Sequence, residues 1–235
     1  MASWHTTPLT SIALATDGTD PASANLLGHA IVTTTGTPQG GIMQTLVDQQ
    51  ITQTPAPIPA EATAIHGITN QAAALGTTPK DALLSIAGHL NQTQHPVVAF
   101  NAPWLFAVLD SMCDRYGFNP IRPGILIDPL VLDKANTSHI RSGGRRLPAV
   151  CSRYNVDEPM SGTQSANAHA AGELARTILT TIPKFRRMNP VQLSTACQSW
   201  YIEAETEFRT YLRSQGTEPN TEMTPWPSLD LPLAS

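Results

Sequence analysis

Asp17 and Asp20 close the first apolar run of the chain, in the stretch "ALATDGTDP" (13–21). Carboxylates at a strand end are what hard cations such as Mg2+ or Mn2+ require, because those ions take oxygen ligands. If 9–16 is a strand, Ala13, Ala15 and Asp17 share one face, with Asp17 about 7 Å beyond Ala15. A single carboxylate is a poor cage for a metal ion, and Asp-Gly is a turn signature, so a turn role is expected for Asp17. His66 and His169 carry imidazoles, which suit Zn2+. Two histidines without an acid make half a metal site; His169 is expected to be solvated or hydrogen-bonded, and for His66 a structural role holding the Pro-rich loop stands level with a place beside a binding groove. Two basic clusters, Arg141–Arg145–Arg146 and Lys184–Arg186–Arg187, have the charge to contact phosphates. Neither is interleaved with several aromatics, which makes solvated surface the default. Phe100 and Trp104 are better placed to touch a nucleotide base, with core packing as the competing role.

The elements that must position these residues follow from composition and periodicity. The chain has 235 residues, enough for one well-buried domain with a helical appendage. Charged residues make up only 14%, against roughly 25% in ordinary soluble domains. The formal net charge of −4 gives no bulk electrostatic case for binding nucleic acid or a membrane. Cys113, Cys151 and Cys197 lie far apart without CxxC spacing and are expected to be buried free thiols. The first ten residues lack a basic region followed by an apolar one, and no window approaches the roughly 18 apolar residues of a membrane span. A cytoplasmic location and no membrane partner are expected.

Short apolar runs at 9–16, 25–34 and 40–48, separated by Gly, Pro, Asp and Asn, predict consecutive strands. The Pro-rich stretch 52–69 predicts an ordered crossing loop. Helical spacing predicts helices over 79–92 and 104–117, the latter closed by Gly117, with a buried strand at 95–103 between them. A strand running into a turn and helix is expected at 124–134, and helices at 144–156 and 165–182. The last helix, 189–216, opens with Asn189 as cap and Pro190 in its first turn and ends at Gly216. Together these give an α/β fold with a mixed sheet.

The order of these elements and six local blocks resemble the DnaQ-like, DEDDh 3'-5' exonucleases, which include the proofreading epsilon subunit of bacterial DNA polymerase III. The blocks are "TDGTDP" (16–21), "IPAEATAIHGIT" (58–69), "VVAFNAPW" (97–104), "IDPLVLDK" (127–134), "RRLPAVCSRYNV" (145–156) and "YLRSQG" (211–216). The resemblance spans about residues 8–228 and is closest to stand-alone actinobacterial members. It implies an RNase H-like mixed sheet flanked by helices over 8–183, a C-terminal helical extension over 184–216 and an irregular tail over 217–235.

In that family two divalent ions about 4 Å apart activate phosphodiester hydrolysis. They are held by an Asp-x-Glu on the first strand, an Asp after an Asn-Ala-x-aromatic turn and a late Asp, with a His five residues earlier as general base. Carried over, those positions fall on Ala13, Ala15, Leu105, His169 and Gln164. None keeps its acid or base; Gln164 takes up no proton near neutral pH. The resemblance therefore implies a pseudo-exonuclease with no metal cofactor. It leaves Thr16, Asp17, Gly18, His66, Asn101 and Trp104 to meet a single-stranded 3' end or a nucleotide, and admits a replication or repair protein as partner. The competing expectation is an active Mg2+- or Mn2+-dependent 3'-5' exonuclease rebuilt around Asp17, His66 and His169.

Overall fold

The computed structural model describes residues 3–37, 39, 41–138, 140, 144–219 and 223–227. Arg141 and part of the tail lie outside the described residues.

Three strands come first: β1 (Leu9–Thr16), β2 (Leu26–Gly36) and β3 (Ile42–Ile51). β1 pairs antiparallel with β2, setting Ala13 opposite Ala30 and Ala15 opposite Gly28. Its other edge pairs in parallel with β4 (Val97–Ala99), which in turn pairs with β5 (Leu126–Ile127). The sheet order is β3-β2-β1-β4-β5, so β1 is central and buried on both faces. This is the expected α/β mixed sheet flanked by helices.

The Pro-rich stretch 52–69, expected to be a loop, contains a short helix, α1 (Ala60–His66), and a second, α2 (Asn70–Ala74), follows directly after it. Pro59 precedes α1 and supplies a fixed φ that suits a helix start, while Gly67 at φ 75° ends it. Thr69 caps α2 by accepting the Ala72 N–H. α3 (Pro79–Gln92) starts as expected, with Thr78 accepting the Asp81 N–H and Pro79 in the first turn. The remaining helices are α4 (Ala102–Tyr116), α5 (Pro129–Asn136), α6 (Leu147–Arg153), α7 (Gln164–Thr181), α8 (Pro183–Arg186) and α9 (Pro190–Ser214).

α7 crosses the face of β1 and β2 that carries Ser11, Ala13 and Ala15. The approach is close because Gly172 has no side chain: a Cβ there would come within 2.5 Å of the Ser11 hydroxyl. α3 lies over the opposite face, where its Ser85 donates to Asp48 on β3. One main core joins both layers and includes Phe185, Leu193 and Cys197, so the first half of α9 packs into the same interior. All three cysteines are free and buried, and burial pushes their thiols up, to about 11, 11 and 12.

Asp128 ties the site-bearing turn to the sheet. It caps α5 by accepting the Leu130 N–H (2.8 Å) and also accepts the N–H groups of Asn101 (3.1 Å) and Ala102 (2.8 Å). Asn101 sits at φ 60°, a left-handed conformation that needs such support. Burial raises the Asp128 carboxyl to about 6, against the lowering effect of those three N–H donors. An acid raised in the fold stabilises most below its unfolded pKa, and that contribution is lost as pH rises through about 6. Asp128→Asn keeps one acceptor oxygen but turns an amide NH2 toward the Ala102 N–H. It is expected to cost about 1–3 kcal/mol at pH 7. Urea unfolding of both proteins should show the wild type gaining on the variant as pH falls from 6 toward 4.

Candidate functional site

A cleft of about 420 Å3 opens between the end of β1, the start of α4, α6 and α7. Each element brings its residues for a local reason. Ala13 comes from the β1 face under α7. Phe100, Asn101, Trp104 and Leu105 come from the turn held by Asp128 and the first turn of α4. Trp104 lies in the first turn of α4, which begins at Ala102, two residues before the expected start. Its indole Nε1 donates to the Thr19 carbonyl (2.8 Å), which fixes the ring as a wall across to the β1–β2 turn.

Asn167 and Ala171 come from α7. Residues four apart lie on one helical face, and Gln164, one turn earlier, continues that face inward. Gln164 is buried, with its Oε1 toward Gly28. His169 is about 200° round the helix from Asn167. It does not line the cleft, and its Nε2 meets Glu173 at 3.2 Å. The sequence placed His169 here from flanking residues and passed over Asn167. The helical phase of the apolar stripe Ala168, Ala171, Ala175 was the signal that selects Asn167.

The other expected residues divide likewise. Ala15 is buried, packed into a small apolar cluster with Leu27, Ile58 and Ile68. Both carboxylate oxygens of Asp17 accept from Asn25, one from the backbone N–H (2.7 Å) and one from Nδ2 (2.6 Å). Thr16 donates its hydroxyl to the Gly18 carbonyl (2.8 Å). These three build the β1–β2 turn beside the cleft and do not line it. His66 ends α1, buried, and its Nδ1 accepts the Ile68 N–H (3.0 Å). Its neutral form therefore carries the proton on Nε2, which has no partner among the described residues, and burial lowers its pKa. Asp110, the nearest acid on α4, makes a two-point pair with Arg122 (2.7 and 2.8 Å).

The basic cluster before α6 also separates. Buried Asp133 accepts from Arg145 (2.6 Å) and Arg153 (2.7 Å), and the second Arg145 nitrogen goes to the carbonyls of Thr137 and Ile140. Arg145 lines the cleft with its charge already taken. Arg146 is exposed at the cleft, with no ion pair among the described residues. Lys184 of the other cluster donates to the Ala135 carbonyl (2.6 Å) over the rings of Phe185 and Trp200. Among the described residues the cleft presents an apolar floor, two aromatic walls, two side-chain amides and one available cation, Arg146. Among the described residues no carboxylate lines it, and they contain no group of three or more His, Cys, Asp or Glu placed to hold a metal ion.

Compared with solved structures, the chain is similar to exonuclease I, with a TM-score of 0.63 at 16% identity. What the two share is the fold. The match covers 76% of this chain and 42% of that one. Escherichia coli exonuclease I in complex with a dT13 oligonucleotide aligns with a TM-score of 0.62 at 15% identity, over 77% of this chain and 42% of the other. Its complex with the C-terminal segment of SSB gives 0.61 at 15% identity, over 77% and 42%. The chain spans less than half the length of the exonuclease I chains it matches. The shared architecture is the RNase H-like one that the resemblance implies. No family model matches the chain, and no curated protein matches it in sequence. Among the described residues, no helix is long and apolar enough to cross a membrane.

Proposed function

We propose that this chain is a non-hydrolytic member of the DnaQ-like exonuclease group that binds a single-stranded nucleic-acid end or a nucleotide without metal. The observation that carries the reading is the meeting of Ala13, Leu105 and Asn167 in one cleft walled by Phe100, Trp104 and Arg146. In the resembling family three metal-holding acids occupy the first, second and last of those element positions. Taking Asn167 in place of His169 as the late acid position moves the general-base position to Gly162. A Cβ at Gly162 would overlap the Ile65 carbonyl oxygen, so no histidine fits there without a backbone shift. An alanine methyl, a leucine and an amide do not fit a pair of divalent cations, which need charged oxygens. Asp17 supports the same reading, since Asn25 occupies both of its oxygens.

The remaining groups suit a nucleotide. Trp104 and Phe100 offer ring faces for stacking, and Arg146 offers a cation for a phosphate. We take 8–183 as the binding unit, with α9 as a helical extension sharing its core.

Fluorescence anisotropy with a labelled single-stranded oligonucleotide tests the proposal. Binding is expected to be the same in EDTA and in Mn2+. Trp104→Ala is expected to weaken it by about 5- to 150-fold, equivalent to one lost base stack of about 1–3 kcal/mol. Arg146→Ala should weaken it and reduce the salt slope by about one counterion. Absence of binding, or shortening of a 3'-labelled strand that depends on Mn2+, would overturn the reading.

A further inference from the structure

Strand β3 forms one edge of the sheet: it is hydrogen-bonded to β2 on one side, and among the described residues no other strand pairs with it, although Thr77 donates its N–H to the Ile51 carbonyl and covers the strand's last residue. An edge strand exposes a row of unpaired N–H and C=O groups, and proteins normally blunt it with Lys, Pro, short length or cover. Ile42–Ile51 runs ten residues and contains no Lys, Arg or Pro. Its one ionisable side chain, Asp48, is engaged by His29 (2.8 Å) and Ser85 (2.6 Å).

The strand's apolar groups are exposed instead. Met43 is 63% and Leu46 50% exposed, and Ile42 and Val47 are exposed beside them. The register sets Leu46 opposite Val32 and Met43 opposite Thr35, so apolar side chains stand on both faces of the sheet edge. On the α3 side Val47 shares a groove with Gly88, and Leu84, one turn before Gly88, is 54% exposed.

We propose that β3 is the contact between two copies of this chain, paired antiparallel about a two-fold axis so that two five-stranded sheets become one. The chemistry of the edge selects this occupant. A nucleic acid would need cations, and the strand has none. A second copy brings an edge of identical length, and like charges do not collide because the only carboxylate is already bonded within its own chain. Antiparallel pairing about a two-fold is self-complementary and keeps the faces, so the side chains on each face of one copy stand beside those on the same face of the other. The pairing leaves the cleft free, so this inference stands apart from the nucleotide-binding reading.

Analytical ultracentrifugation of the full chain tests it. The wild type is expected at twice the 25.2 kDa chain mass at micromolar concentration. Leu46→Lys and, separately, Met43→Lys place a charge on the seam and are expected to sediment as monomers. Both positions are exposed, so circular dichroism and Tm should stay those of the wild type. Hydrogen exchange should show β3 amides gaining protection as wild-type concentration rises, and not in either variant. A wild type that stays monomeric at hundreds of micromolar overturns the proposal. So does a dimer that both lysine variants leave intact.

Discussion

Arg176→Met is expected to lower Tm by roughly 6–20 °C, the equivalent of about 3–5 kcal/mol in a domain of this size. Arg176 lies on α7 and is 2% exposed. One guanidinium nitrogen donates to the carbonyls of Trp4 (2.6 Å), His5 (2.7 Å) and Thr7 (2.9 Å). The other donates to the carbonyl (2.7 Å) and hydroxyl (3.2 Å) of Thr34 on β2. Backbone acceptors from two chain segments thus converge on one planar fork, a geometry a lysine does not reproduce. Burial lowers the Arg176 pKa, with Glu173 opposing that shift. Removing the fork strands four carbonyl oxygens in the interior and frees the segment that seats Trp4, itself 1% exposed. Tryptophan fluorescence should report Trp4 moving toward solvent before the main unfolding transition. Arg176→Lys should fall between the two, since an ammonium has three donors. A Tm change under about 2 °C for the methionine variant would show that the N-terminal segment is held by Trp4 packing alone.

The sequence carries the strands of this fold legibly because β1 is central and its neighbours are long. Leu9, Ile12 and Ala15 are buried on opposite faces, and turn residues bracket each run. The two helices α1 and α2 were not legible: they are short, and their start signals sit inside a Pro-rich stretch that reads as a breaker. Site residues divide by the kind of information that fixes them. Ala13, Asn101, Trp104 and Leu105 sit at fixed distances from a turn, and spacing alone places them at the cleft. Asn167 depends on helical phase, and a frame anchored two residues away turned the helix by about 200°. Arg146 is separated from Arg145 only by the tertiary position of Asp133, which spacing does not encode. Asp17 makes a turn contact of the kind its Asp-Gly setting implies, yet its partner Asn25 lies on the far side of the turn, which local spacing does not encode.

Rebuilding the acids as Ala13→Asp, Ala15→Glu, Leu105→Asp and Asn167→Asp is expected to give a protein that needs metal to be stable and still does not cut. Ala15 is 5% and Leu105 3% exposed. A carboxylate at either place loses its hydration without gaining a counter-charge, and its neighbours would repel it. Without metal the fourfold variant should therefore lose several kcal/mol, and its new acids should titrate above their usual range. Lowering pH from 7 to 5 should then raise its stability relative to the wild type, because acids raised in the fold bind protons on folding. Mn2+ at about 100 times its dissociation constant should restore about 2.7 kcal/mol, or roughly 5–11 °C of Tm. The wild type, with no charged oxygen among the described residues that line the cleft, should show no saturable shift under the same titration. Hydrolysis should remain absent in the variant because position 162 is a glycine pressed against the Ile65 carbonyl, leaving no general base. Shortening of a 3'-labelled strand by the rebuilt protein would mean that another group takes the proton, and His66, a buried imidazole with an unpartnered Nε2 beside Gly162, is the candidate. A His66→Gln change in the rebuilt background would then abolish the activity while leaving the Mn2+ shift in place. That pair of readouts separates metal binding from proton transfer, which are the two functions the cleft residues have lost in the proposed reading.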